Sequence, residues 1–140
     1  MSDFTYGGLS RGRLDSVDTR LSVIFYEAIK HLDIKILCGR RGEEAQNEAY
    51  SSGHSSKPWP MSKHNVEAPA LSPAIDAAPY PVDWNDRRRF DHFAGFIRGI
   101  ATMQGLELRW GGDWNQDYKF GPDQTFNDLV HFEIAKSTTR

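Results

Sequence analysis

The sequence predicts an α+β fold: a single compact domain over residues 1–140, with helices packed on a small, mainly antiparallel sheet. Three observations point there. Short β-branched or alternating segments are interleaved with segments whose apolar residues recur at helical spacing. The last two strand-like segments follow one another with no helix between them. A chain of 140 residues, 39% hydrophobic and 26% charged, suffices for one core and leaves no room for a second module.

Taken in order, residues 1–14 are rich in Gly, Ser and Arg and read as an irregular lead-in. From Asp15 the apolar positions Val17, Leu21, Ile24, Ala28, Ile29 and Leu32 repeat on one helical face, with Asp15 or Ser16 as the cap. Ile34 to Cys38 alternates and is stopped by Gly39, the pattern of a strand. Glu43 to Ser52 suits a second helix that Gly53 would end. His54 to Pro73 holds four of the seven prolines and reads as a long loop, a length that usually serves function. Ala74 to Ala78 is a buried strand carrying Asp76. Asp83 to Asp86 offers a helix start, after which Phe90, Phe93, Ala94, Ile97, Ile100 and Ala101 share a face until Gly105. Leu106 to Trp110 is a strand, Gly111 to Asp128 a polar loop, and Leu129 to Ile134 the final strand.

Several function classes are disfavoured. A net charge of −2 gives no electrostatic case for nucleic acid. No run of eighteen apolar residues exists to span a membrane, and the N-terminus lacks the basic start and apolar run of a secretory signal. The one cysteine, Cys38, can form no intrachain disulfide, which fits folding in a reducing compartment.

Chemistry concentrates in His64, Asp76 and His131. Two imidazoles and one carboxylate are a common ligand set for a hydrolytic zinc ion that keeps one position open for water. By spacing alone, a solvated loop histidine and a hydrogen-bonded strand histidine account for the same residues equally well. Asp128 stands three residues before His131. Strand side chains alternate faces, so both can reach one site only if Asp128 lies in the loop ahead of the strand. Glu133 does share a face with His131 and is the alternative base, or else a partner that orients the imidazole. Ser62 is a candidate donor to substrate. Asp113, Asn115 and Asp117 alternate as in the opening of a calcium loop, but Tyr118 and Gln124 stand where such a loop needs Gly and Glu. A regulatory Ca2+ and a plain polar turn both remain open there. Trp59, Trp84, Trp110 and Trp114 would line a cleft or pack in the core, His31 and His92 read as structural, and Gln46 and His54 receive no role.

Four segments in order resemble the VanY-type zinc peptidases: Ser62-Lys63-His64, Ala74-Ile75-Asp76-Ala77-Ala78-Pro79-Tyr80, Gly111-Gly112-Asp113-Trp114-Asn115, and Asp128-Leu129-Val130-His131-Phe132-Glu133. Gly39-Arg40-Arg41, followed by Glu43, Glu44 and Gln46, is similar to the family's Gly-x-Arg segment, and the resemblance covers about residues 36–134. That family includes D-alanyl-D-alanine carboxypeptidases and phage endolysins acting as L-alanyl-D-glutamate peptidases, the latter being the nearer likeness. Its interval from histidine to aspartate is usually shorter than the one here, which contains Pro69 and Pro73. The resemblance implies a Hedgehog/D-Ala-D-Ala peptidase-like fold, one Zn2+ on His64, Asp76 and His131, Asp128 as general base, and Arg41 on the substrate carbonyl or carboxylate. It implies a monomer that acts on the peptide stem of bacterial peptidoglycan. On the phage analogy it is made in the host cytoplasm without a signal peptide and reaches the wall through a separate membrane pore. The alternatives are a D-alanyl-D-alanine carboxypeptidase or dipeptidase, and a peptidoglycan-binding module that has lost turnover.

Overall fold

The computed structural model describes residues 4–119 and 124–135. Residues 1–3 of the expected lead-in and 120–123 of the expected polar loop lie outside them. Helices α1 (Gly8–Leu14), α2 (Thr19–Ala28), α3 (Glu43–Ser51) and α4 (Arg87–Met103) accompany strands β1 (Ile34–Cys38), β2 (Ala74–Pro79), β3 (Leu108–Gly111) and β4 (Asp128–Ile134). The four strands form one sheet in the order β1-β2-β4-β3, with every neighbouring pair antiparallel.

Alternation along the strands divides the sheet into two faces. Ile36, Ile75, Ala77 and Phe132 point into the core, where they meet Leu21, Ile24, Phe25 and Ala28 of α2 and Phe93, Ala94, Ile97 and Ala101 of α4. Phe132 is the hub, with the rings of Phe25 and Phe93 edge-on at 5.8 and 6.0 Å. The opposite face carries polar residues and is roofed by the connections between elements.

Two boundaries differ from the sequence reading. The expected lead-in contains α1, a short helix that covers the outer edge of β1. Its Ser10 hydroxyl accepts from the Ile36 N–H at 3.2 Å, and Arg13 Nη1 donates to the Ile36 carbonyl at 2.8 Å. Those bonds satisfy backbone groups that an edge strand would otherwise expose. Asp15 therefore ends α1, and α2 is capped by Asp18, whose carboxylate accepts from the Arg20 N–H at 2.9 Å. Neither Asp15 nor Ser16 caps it; the Ser16 hydroxyl instead donates to the Arg13 carbonyl and accepts from the Arg40 N–H. The remaining elements fall within a few residues of expectation, with Asp86 capping α4 and left-handed glycines, Gly53 and Gly105, following α3 and α4.

Candidate active site

Strand register sets the centre of the site. Cys38, Asp76 and His131 are cross-strand partners on β1, β2 and β4, so they stand in a row on the face away from the core. His64 joins them from the loop. Its segment pairs with the chain just after β1: the Arg41 N–H donates to the His64 carbonyl at 2.9 Å, and Arg41 and Asn65 form a parallel bridge. Ser62 Oγ accepts from the His64 N–H at 3.3 Å, so this serine shapes the turn that presents the imidazole. The chain can pass here because residue 39 is glycine; a Cβ there would fall on the Ser16 hydroxyl and the Arg13 carbonyl.

The long, proline-bearing path from His64 to Asp76 does bring the two together. His64 Nε2 lies 3.0 Å from Asp76 Oδ1, and His131 Nδ1 lies 3.1 Å from the same oxygen. The second nitrogen of each ring is also engaged. His64 Nδ1 faces the Gly39 carbonyl at 2.8 Å, and His131 Nε2 faces Glu133 Oε1 at 2.9 Å. Each of those contacts takes an N–H from the ring, which turns a lone pair toward Asp76. Both histidines are buried.

Electrostatics agree with that geometry. Burial alone would lower the His64 pKa, but the hydrogen bonds and charge of Asp76 and Cys38 outweigh it and lift the imidazole to about 10. His131 is raised for the same reasons, through Asp76 and Glu133. Burial pushes Asp76 up, and the two imidazoles override it to hold the carboxyl well below the usual range. Such a cluster favours positive charge at its centre, whether carried by protons or by a metal cation. The donor set fits a divalent ion: lone pairs of His64, Asp76 and His131 face one another, and the ligand atoms of Asp76, Asp128 and His131 lie within 4.8 Å of each other. Cys38, His64 and Asp76 form a second such group, so the thiol is a further donor at the edge of the same centre.

Asp128 does not precede β4, as strand alternation suggested; it is the first residue of that strand. A break in register resolves the parity problem. Trp110 pairs with Phe132, but the next residue, Gly111, pairs with Asp128, so three extra residues of β4 bulge out between them. The Trp110 indole N–H donates to the Leu129 carbonyl within the bulge at 2.9 Å, and a Cβ on Gly111 would strike the Asp128 carbonyl. Burial and the neighbouring Asp76 charge raise the Asp128 pKa, which suits an acceptor of protons. Glu133 is committed to His131 on one oxygen and approaches Arg109 on the other at 3.4 Å, the position of an orienting partner.

A cleft of about 670 Å³ opens onto this row, with Arg41, Ser62, Trp114 and Phe126 among its walls. The Arg41 guanidinium is fixed by Gln46 Oε1 at 3.1 Å and Cys38 Sγ at 3.3 Å. Gln46, left without a role by the sequence, is fully buried and also joins Asn65, Ser55 and the Lys57 carbonyl. Its place among charged residues on α3 gave no hint of this, since every partner is distant in sequence. His54 lies at the cleft rim against Ser52. Of the tryptophans, Trp114 flanks the His131 ring at 5.6 Å, Trp110 is core, and Trp84 is exposed over Phe90.

The Asp113–Asn115–Asp117 run is organised as a turn around an arginine. Asp113 pairs with Arg98 of α4 at 3.0 Å and accepts from the N–H groups of Asp117 and Tyr118. That carboxylate is spent on a guanidinium, so in this arrangement it is not offered to Ca2+.

Two imidazoles, a carboxylate between them and a second acid beside them, on the floor of an open cleft, define a hydrolytic centre of the metallopeptidase class. The chain belongs to the phage L-alanyl-D-glutamate peptidase family, whose model matches residues 1–135, and it is a peptidase on that ground. Its fold is that of the L-Ala D-Glu endopeptidase ChiX of Serratia marcescens: the crystal structure superposes with a TM-score of 0.68 at 21% identity, covering 93% of this chain and 89% of that one. No curated protein matches the sequence. Among the described residues, no helix is long and apolar enough to cross a membrane.

Proposed function

We propose that this protein is a zinc-dependent endopeptidase that cuts the amide bond between L-alanine and D-glutamate in the peptide stem of peptidoglycan, serving a phage as its endolysin. The observation that carries the proposal is the convergence of His64 and His131 on Asp76 at 3.0 and 3.1 Å with Asp128 alongside, in a chain of this family. His64, Asp76 and His131 would hold the ion, which when bound supplies Lewis acidity toward a water and the scissile carbonyl. Asp128, with its raised pKa, takes the proton from that water and returns it to the departing amide nitrogen. Arg41, held rigid by Gln46 and Cys38, directs its guanidinium at the oxygen that gains negative charge. Glu133 fixes the tautomer and tilt of His131. One chain carries every member of this group, so it works as a monomer, reaching the wall through a pore that another protein makes.

Metal analysis combined with mass spectrometry of digested peptidoglycan tests this reading. One zinc per chain and new L-alanine carboxyl termini are expected. Asp128→Ala should keep zinc and lower turnover by roughly two to four orders of magnitude. Release of free D-alanine would mean a carboxypeptidase, and zinc without any cleavage would mean a binding module. If Glu133→Ala gave the Asp128 phenotype and Asp128→Ala did not, the base would be Glu133.

A further inference from the structure

Four side chains bring positive charge to the cleft: Arg41, Lys57, Lys63 and Arg109. They differ in how far they are already engaged. Arg41 is clamped by Gln46 and Cys38. Arg109 has only the long 3.4 Å contact from Nη1 to Glu133 Oε2, and Glu133 answers chiefly to His131. Its Nε is buried and finds no partner among the described residues, while a third of the side chain remains open. A guanidinium carries five N–H groups in a planar fork that matches a carboxylate, and most of this one is unfilled.

Its position is set by the sheet. Arg109 sits directly across from Glu133, hence on the same face as His131, two residues away on β4. In the strand order β1-β2-β4-β3, Asp76 and His131 occupy the two middle strands. Arg41 follows β1 at one edge, and Arg109 lies on β3 at the other. A substrate lying across the strands over the His/Asp row would meet one guanidinium on each side of the reacting amide.

We propose that Arg109 is a specificity-determining residue that binds the free carboxylate of the glutamate on the amine side of the scissile bond. The inference rests on the endopeptidase reading above and names the substrate group that reading leaves unmatched. A glutamate joined through its amine and one carboxyl keeps its other carboxyl free, close to the reacting nitrogen. With Arg41 serving the carbonyl side, the unfilled fork of Arg109 faces the carboxylate side. An amide in place of that carboxylate would bring N–H groups against N–H groups and lose the ionic term.

The test compares two synthetic stem peptides, identical except that one bears the free glutamate carboxylate and the other its carboxamide. Wild-type protein should favour the carboxylate by about 100-fold in kcat/KM, chiefly through KM, and Arg109→Met should reduce that ratio to about threefold or less. Arg109→Lys, which keeps the charge without the fork, should restore part of the ratio. If Arg109 served only to hold Glu133, Arg109→Met would slow both peptides equally and preserve the ratio, overturning the proposal. A wild-type ratio near one would overturn it without any variant. Cleavage of neither peptide by the wild-type protein would overturn the endopeptidase reading and this subsite with it.

Discussion

The segment from His54 to Pro73 and the segment from Gly112 to Asn127 both end at the cleft, yet they are fastened by different chemistry. The first is stitched largely by main chain. The Arg41 N–H reaches the His64 carbonyl, the Ser72 N–H reaches Ser16 at 2.9 Å, and the Asp18 N–H reaches Ser72 at 2.8 Å, with bridges at Val17–Ser72 and Arg41–Asn65. The second, in its described residues, hangs on side chains. Arg98 holds Asp113, the Trp114 indole donates to the Phe126 carbonyl at 2.9 Å, and Gln124 accepts from the Trp114 N–H while donating to Asn127. Main-chain bonds survive changes of side chain, whereas a side-chain tie vanishes with its residue. The ligand-bearing loop is therefore built to tolerate substitution, and the wall-forming loop is built on a few indispensable groups.

The largest effect that can probe this contrast is His64→Ala. Loss of metal and of activity by roughly four orders of magnitude is expected if His64 is a ligand. The loop itself should stay in place, since its main-chain ties remain and only the Nδ1 contact to Gly39 is lost. Metal analysis and amide hydrogen exchange read the two parts separately. Retained zinc would remove His64 from the ligand set, and loss of protection at Arg41 and Ser72 would show that the imidazole, not the backbone, holds the loop.

Arg98→Met should act the opposite way, sparing the metal and loosening the wall. Arg98 and Asp113 are both buried, and the Tyr118 ring covers the guanidinium at 3.6 Å. Removing the cation strands a buried carboxylate, at a cost of about 3–5 kcal/mol. Trp114 follows Asp113 directly and flanks His131, so its fluorescence should shift and turnover should fall about tenfold while zinc is kept. Chemical denaturation gives the stability change, and the double variant Arg98→Met/Asp113→Leu should recover much of it. A loss under about 1 kcal/mol would show that the wall-forming loop does not depend on this pair.

How much of this the sequence disclosed follows the same division between local and distant partners. The α4 stripe from Phe90 to Ala101 and the strands around Ile36 and Ile75 were readable because their signal is periodicity within one segment. His64, Asp76 and His131 were readable as residue types, although spacing alone left their meeting undecided. Helix α1 was not readable: its stability comes from capping the edge of β1 through Ser10 and Arg13, contacts more than twenty residues away. The register break that turns Asp128 inward was equally hidden, because it depends on how Trp110 and Gly111 seat against β4. Gln46, Arg98 and Arg109 were missed for one reason. Each is a polar residue whose burial and partners exist only once the chain has closed, and none stands in a spacing that marks it.

Asn65→Ala is the smallest and sharpest probe of the main-chain stitching. Asn65 lies at the crossing of loop and strand: its amide donates to the Arg41 carbonyl at 3.2 Å and to Gln46 Oε1 at 2.9 Å, and its Oδ1 accepts from the Ser62 N–H at 3.0 Å. A side chain with three bonds beside His64 would be critical if side chains held this loop. With the Arg41–His64 main-chain bond intact, the expected loss is only about 1 kcal/mol of stability, because water at this half-buried position can replace part of what is removed. Zinc affinity should change by less than about tenfold, equivalent to about 1.4 kcal/mol. Melting temperature and a zinc competition titration measure both. A loss as large as that of Arg98→Met would erase the distinction between the two loops and make Asn65, rather than the backbone, the clasp that delivers His64 to the site.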